Sequence, residues 1–206
     1  MKKHWWKVLA VLILLVVFVV GLLAPLNIGI TSSTPTYVST GETVTLEVQG
    51  YNTYFIKGEN VAWLKLDSAN SICATNIEII DDVQLKITYQ IPNKLPIIDK
   101  NASVILVINN TEQGYAIYPD ALSIKNIDDI DSTNTANWTC DNQMLTEVDK
   151  FDYPFRNILM ETIRNLYFHV PFWFGMIILF TVSMVYSIKS LRNPMEKIYD
   201  IKSVAF

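Results

Sequence analysis

Two apolar runs bracket a long stretch in which hydrophobic and polar residues alternate. Residues 8–24 read VLAVLILLVVFVVGLLA and residues 170–188 read VPFWFGMIILFTVSMVYSI, neither with a charge. Each approaches the roughly 20 residues that carry a helix across a hydrocarbon core of about 30 Å. A helix also keeps its backbone polar groups bonded inside lipid. The pattern predicts two transmembrane helices. Between them, period-two alternation recurs at 43–48 (T-V-T-L-E-V), 61–66, 73–80, 83–89, 103–108, 115–118 and 122–125. One apolar face per segment marks half-buried antiparallel strands. About seven such strands with turns between them predict an immunoglobulin-like β-sandwich. The fold class expected is therefore membrane α plus all-β: two transmembrane helices flanking an extracytoplasmic sandwich.

Two further stretches break the alternation. Residues 127–153 are rich in Asp, Asn, Ser and Thr and read as a polar linker. Asp128, Asp129 and Asp131 within it lack the spacing of an EF-hand and read as solvated acids rather than calcium ligands. Residues 154–168 place Phe155, Ile158, Leu159, Ile163 and Leu166 at helical spacing, which predicts an amphipathic helix at the membrane surface. Pro171 then suits the first turn of the second crossing, 169–188. The layout expected is a cytoplasmic N-terminus and first helix over 1–27, a sandwich over 28–126, the linker, the interfacial helix, the second crossing and a cytoplasmic tail over 189–206.

Charge orients this layout. Lys2, Lys3 and Lys7 precede the first run without an acid, and four basic residues against two acids follow the second. Between the runs lie 9 basic and 18 acidic residues. The positive-inside rule then puts both termini in the cytoplasm and 28–168 outside. The acidic middle argues against nucleic acid as a partner. The first run exceeds the apolar core of a signal peptide and no A-x-A site follows it, so a retained anchor is expected. Cys73 and Cys140 both fall outside, where a disulfide is permitted; the sequence leaves open whether they pair. The N-x-[ST] triplets at Asn101, Asn109 and Asn137 matter only where a host glycosylates.

Candidate chemistry concentrates at the second run. His169 stands among Phe168, Phe172 and Trp173, with Arg164 and Tyr167 just before it. Read as the start of a helix, His169 would be held neutral by unpaired N–H groups and be available as a ligand. His4, the other histidine, lies on the opposite side, and Tyr186 reads as a packing residue. No nucleophile or carboxylate has a partner at useful spacing, so the chain is not read as an enzyme.

Arg164, Tyr167, His169, Val170 and Pro171, with Trp173 close by, resemble the R-x-x-Y-x-H-V-P-x-x-W segment of the CcmC/CcsA family of haem-handling proteins in cytochrome c maturation. Trp5 and Trp6 before a helix ending in G-L-L-A-P-L, and the tail Y-D-I-K-S-V-A-F, are similar to that family too. The opening of the middle segment, from Ser32 through Pro35 and Gly41 to Gly50, resembles IPT/TIG immunoglobulin-like domains. The resemblance implies His169 as an axial ligand to the iron of a non-covalently held haem b. On chemical grounds alone, Phe168, Phe172 and Trp173 would supply flat surface for the porphyrin edge and Arg164 would pair with a propionate; Tyr167 joins the candidate haem-binding residues as a position of the motif. The resemblance also implies a bacterial inner membrane, with cytochrome c maturation proteins or the remaining helices of a haem-handling complex as partners beside lipid. The family has six or more helices, so two imply an incomplete or split component. The alternative is a membrane-tethered immunoglobulin-like binding or adhesion module without haem; a transmembrane sensor ranks below both.

Overall fold

The computed structural model describes residues 5–97, 99–127, 138–141, 144–148, 152–192 and 201. They form two compact units, one from Met1–Ala24 with Glu161–Phe206 and one from Pro25–Met160.

Among the described residues the middle unit holds nine strands: β1 (Gly29–Thr34), β2 (Tyr37–Ser39), β3 (Thr43–Tyr51), β4 (Asn60–Lys65), β5 (Ser71–Cys73), β6 (Asn76–Ile79), β7 (Gln84–Gln90), β8 (Asn101–Asn110) and β9 (Gly114–Lys125). They make a four-stranded sheet in the order β1-β3-β7-β6 and a five-stranded sheet in the order β2-β9-β8-β4-β5. Strand β2 runs parallel to β9 and every other pair is antiparallel. Strands β3 and β7 follow the alternation closely. Val44, Leu46 and Val48 point inward with Leu85, Ile87 and Tyr89, and meet Leu64, Val104, Leu106, Ile108, Leu122 and Ile124 of the other sheet. Outward positions carry polar cross-strand pairs, such as Glu47 with Lys86 at 3.0 Å and Thr45 with Thr88 at 3.1 Å. The two-sheet sandwich expected from the alternation is present.

Its details differ from the expectation in three places. Residues 73–80 are two strands in different sheets, because Ala74 and Thr75 carry the chain from one to the other. Residues 114–125 are one strand, not two. Asp120 adopts a left-handed φ of 52° and the pairing with β8 shifts between Val104 and Leu106, so the interruption is a bulge within a continuous strand. Strands β1 and β2 add sheet edges in a stretch that lacks alternation.

Tyr89 brings a hydroxyl into the core. Its oxygen finds no hydrogen-bond partner among the described residues, and burial pushes the phenol pKa upward. Tyr89→Phe is expected to raise the unfolding free energy by about 1 kcal/mol, because the desolvated hydroxyl is removed and the ring stays. A denaturant midpoint that falls in the variant would show that the hydroxyl is bonded after all.

Among the described residues of the expected linker, 138–141 and 144–148 form a strap on the sandwich. Trp138 is 2% exposed in the main core and its indole N–H donates to the Lys94 carbonyl at 2.9 Å. Cys140 forms a disulfide with Cys73 of β5, with Cα atoms 5.1 Å apart, and packs under Trp63 and Val107 on the outer face of the five-stranded sheet. Farther along, the Thr146 N–H donates to the Asn109 side chain at 2.7 Å. Asn109 is thereby buried, while Asn101 is exposed at the start of β8. Asp128, Asp129, Asp131 and Asn137 lie outside the described residues. The described residues of 127–153 carry no helix or named strand, as a linker or long loop should, and Trp138 and Cys140 anchor them to the sandwich.

The strap ends where the chain entered. Tyr153 and Leu26 form a parallel bridge, with the Asn27 N–H on the Tyr153 carbonyl at 2.7 Å and the Tyr153 N–H on the Pro25 carbonyl at 2.8 Å. Phe155 stacks on Tyr51 at 5.4 Å and fills the space where a side chain at Gly29 would stand. Asn157 donates to the Thr31 carbonyl at 2.9 Å. These contacts hold 154–159 out of the amphipathic helix expected over 154–168, whose second part, from Ile163, is helical as the start of the helix Ile163–Arg192. Residues 154–156 are irregular, 157–159 turn, and Met160 has a left-handed φ of 40°, which a right-handed helix cannot pass through.

The other unit contains α1 (Trp5–Leu23) and α2 (Ile163–Arg192), the latter preceded by a 3-10 turn at Met160–Thr162. Over Met160–Arg192 the chain is long and apolar enough to cross a membrane by length and composition. Among the described residues the shorter apolar helix, Lys7–Leu23, does not reach that length. Lys189 and Arg192 sit in the last turn of α2, where the helix dipole favours cations.

Candidate haem-ligating site

All four candidate residues lie near the start of α2. The helix begins at Ile163, so His169 is its seventh residue and Pro171 is inside it. Two expectations change accordingly. His169 lies beyond the first turn of α2, not beside the unpaired N–H groups at its start. Pro171 removes the N–H that would ordinarily reach the Tyr167 carbonyl, so it perturbs the helix rather than starting it.

Successive side chains point to different sides of α2. Phe168 stacks on Phe18 of α1 with centroids 5.3 Å apart, and Tyr167 meets the Phe168 ring edge-on at 5.2 Å. Gly21 of α1 makes this possible: a methyl there would collide with the Phe168 ring and crowd Tyr167. Small residues at such crossings let helices approach closely. His169, about 100° farther round the helix, is exposed, as is Trp173 one turn on. Their rings are tilted by 55° with centroids 5.9 Å apart. An imidazole and an indole at i and i+4 share one face of a helix. They fit one axial ligand and one flat wall for a porphyrin.

Arg164 is engaged elsewhere. Its Nη1 donates to the carbonyls of Gly21 at 3.3 Å, Leu22 at 3.0 Å and Ala24, and its Nε donates to Glu161 at 2.7 Å. The last carbonyls of a helix have no partner within it, so this guanidinium caps α1. These bonds tie the Nη1 and Nε of Arg164 to its own helix pair. Of the four residues, the structure brings His169 and Trp173 together, puts Tyr167 against Phe168 beside Gly21, and turns Arg164 to the backbone of α1.

No protein-family model matches the chain, and no curated protein matches it.

The middle unit offers a different kind of site. An open cleft of about 710 Å³ is walled by Asn27 and Gly29 of the entering chain, Tyr115 and Ile117 of β9, and Glu147 and Phe155 of the strap. It joins two aromatic rings with a carboxylate, which suits a polar ligand or a peptide more than an apolar one. Periodicity gave no sign of it, because its walls come from segments remote in sequence. Among the described residues no three His, Cys, Asp or Glu side chains cluster as metal ligands. Haem asks only one such side chain of this chain, so the fit rests on the ring pair.

Proposed function

We propose that the chain handles haem at the outer face of a bacterial inner membrane in cytochrome c biogenesis, as one component of a larger or split assembly. The observation that carries this reading is the exposed His169–Trp173 pair on an apolar helix, within a segment that resembles the CcmC/CcsA pattern. His169 would supply an axial ligand to non-covalent haem b, which supplies an iron centre to be carried and passed on. Trp173 would cover part of the macrocycle. Tyr167 would hold the helix pair behind them. The exposure of both rings supports a pocket completed by helices of a partner protein.

The topology proposed is two-pass, with both termini cytoplasmic and the β domain periplasmic. The basic ends and acidic middle support it, as does the disulfide, which belongs to oxidising compartments. The order β1-β3-β7-β6 beside β2-β9-β8-β4-β5 supports an immunoglobulin-like, IPT/TIG-like assignment for the sandwich. The chain would bind and present haem rather than catalyse a reaction.

The test is titration of the full chain in lipid nanodiscs with haem. The wild type is expected to develop a Soret band, and His169→Ala to bind haem at least about tenfold more weakly. An unchanged titration in the variant would remove His169 from the site. A second reading, a tethered immunoglobulin-like binding module without haem, is favoured by the cleft beside Tyr115 and Phe155. It would be supported if the wild type gave no Soret band alone or with its membrane partners.

A further inference from the structure

We infer that Arg164 is a positioning residue, a latch that fixes the rotation of α2 against α1 and so directs His169 away from the helix pair. In its bearing on haem this rests on the function proposed above; the latch itself does not.

Three observations meet at this point. The guanidinium reaches the carbonyls of Gly21, Leu22 and Ala24, which belong to the last turn of α1 and its exit. An arginine there satisfies orphan acceptors and complements the negative end of the helix dipole. Glu161 bonds the Nε from the turn before, so the side chain is held from both sides. One turn farther on, Gly21 admits the Phe168 ring, which stacks on Phe18. The polar contact sets the rotation of α2, and the ring contact closes the gap only at that rotation. His169 follows Phe168 directly, so the rotation that seats Phe168 against α1 turns His169 to the open side.

A planar guanidinium can bridge several carbonyls and a carboxylate at once. A lysine ammonium in its place would keep the charge and lose the fork. Glutamine would lose both.

The experiment uses the full chain in nanodiscs, with nitroxide labels on Leu14→Cys and Met184→Cys, both exposed positions outside the site. The native cysteines are joined and do not take label. The distance between labels is expected to be narrowly distributed with Arg164, broad in Arg164→Gln and intermediate in Arg164→Lys. Haem affinity should fall about tenfold in Arg164→Gln, in step with the fraction of correctly rotated helix. The melting of the β domain should stay unchanged and serves as the folding control. An unaltered distance distribution in Arg164→Gln overturns the latch. So does weakened haem binding with an unaltered distribution, which would mean that Arg164 touches the porphyrin itself. If the wild type binds no haem, the functional reading fails, and the distances alone decide the latch.

Discussion

Replacing Cys73 and Cys140 together by serine is expected to lower the unfolding free energy of the β domain by about 4 kcal/mol. The two residues are 67 apart in sequence, and closing a loop of that size removes much of the freedom of the unfolded chain. A second contribution adds to this one. Cys140 packs with Trp63 and Val107 on the outer face of the five-stranded sheet, and a serine hydroxyl there would need a partner. For a domain of this size the loss corresponds to a fall in Tm of roughly 15 °C. Thermal unfolding of the full chain, followed by near-ultraviolet dichroism of the buried tryptophans, measures it. A shift of only a degree or two would mean that the bridge decorates a strap already held by other contacts.

Legibility in the sequence followed the number of buried faces. Strands β3 and β7 each bury one face completely, so Val44, Leu46 and Val48, or Leu85, Ile87 and Tyr89, stand at every second position and announce themselves. Strand β1 buries Ile30 and Ser33 but carries Thr and Ser elsewhere, and its register with β3 slips between Ile30 and Ser32. An edge strand of that kind leaves no period to read. The strap is harder still: in a run of Asp, Asn and Thr, Trp138 and Cys140 look like exceptions, yet they are its anchors. The reverse happened at Phe155. Its helical spacing was real, but stacking on Tyr51 outweighed a weak local preference.

The candidate site divides in the same way. The i, i+4 spacing of His169 and Trp173 is a local property, and once α2 forms the two rings must share a face. The task of Arg164 is not local. Its acceptors are backbone carbonyls about 140 residues earlier in the chain, and a carbonyl carries no sequence signal. Arginine beside a histidine and aromatic rings suggested an anionic ligand; the end of α1 offers the same partial negative charge.

Trp138→Ala is expected to destabilise the β domain by about 4 kcal/mol, the range for truncating a buried tryptophan. The variant loses the packing of an indole that is 2% exposed in the core, and with it the hydrogen bond to the Lys94 carbonyl. Trp138 stands two residues from Cys140, so the two anchors are not independent. The disulfide keeps the strap near the sheet and lessens the ordering needed to seat the indole; the seated indole keeps the cysteines within reach. Each therefore strengthens the other, and removing both should cost less than the sum of the separate losses, by about 1 kcal/mol or more. Denaturant unfolding of wild type, Trp138→Ala, the double serine variant and the combined variant closes this cycle. Strict additivity would mean that the anchors act on separate parts of the unfolded chain, and a Trp138→Ala loss below about 1 kcal/mol would return the segment to the polar linker its composition describes.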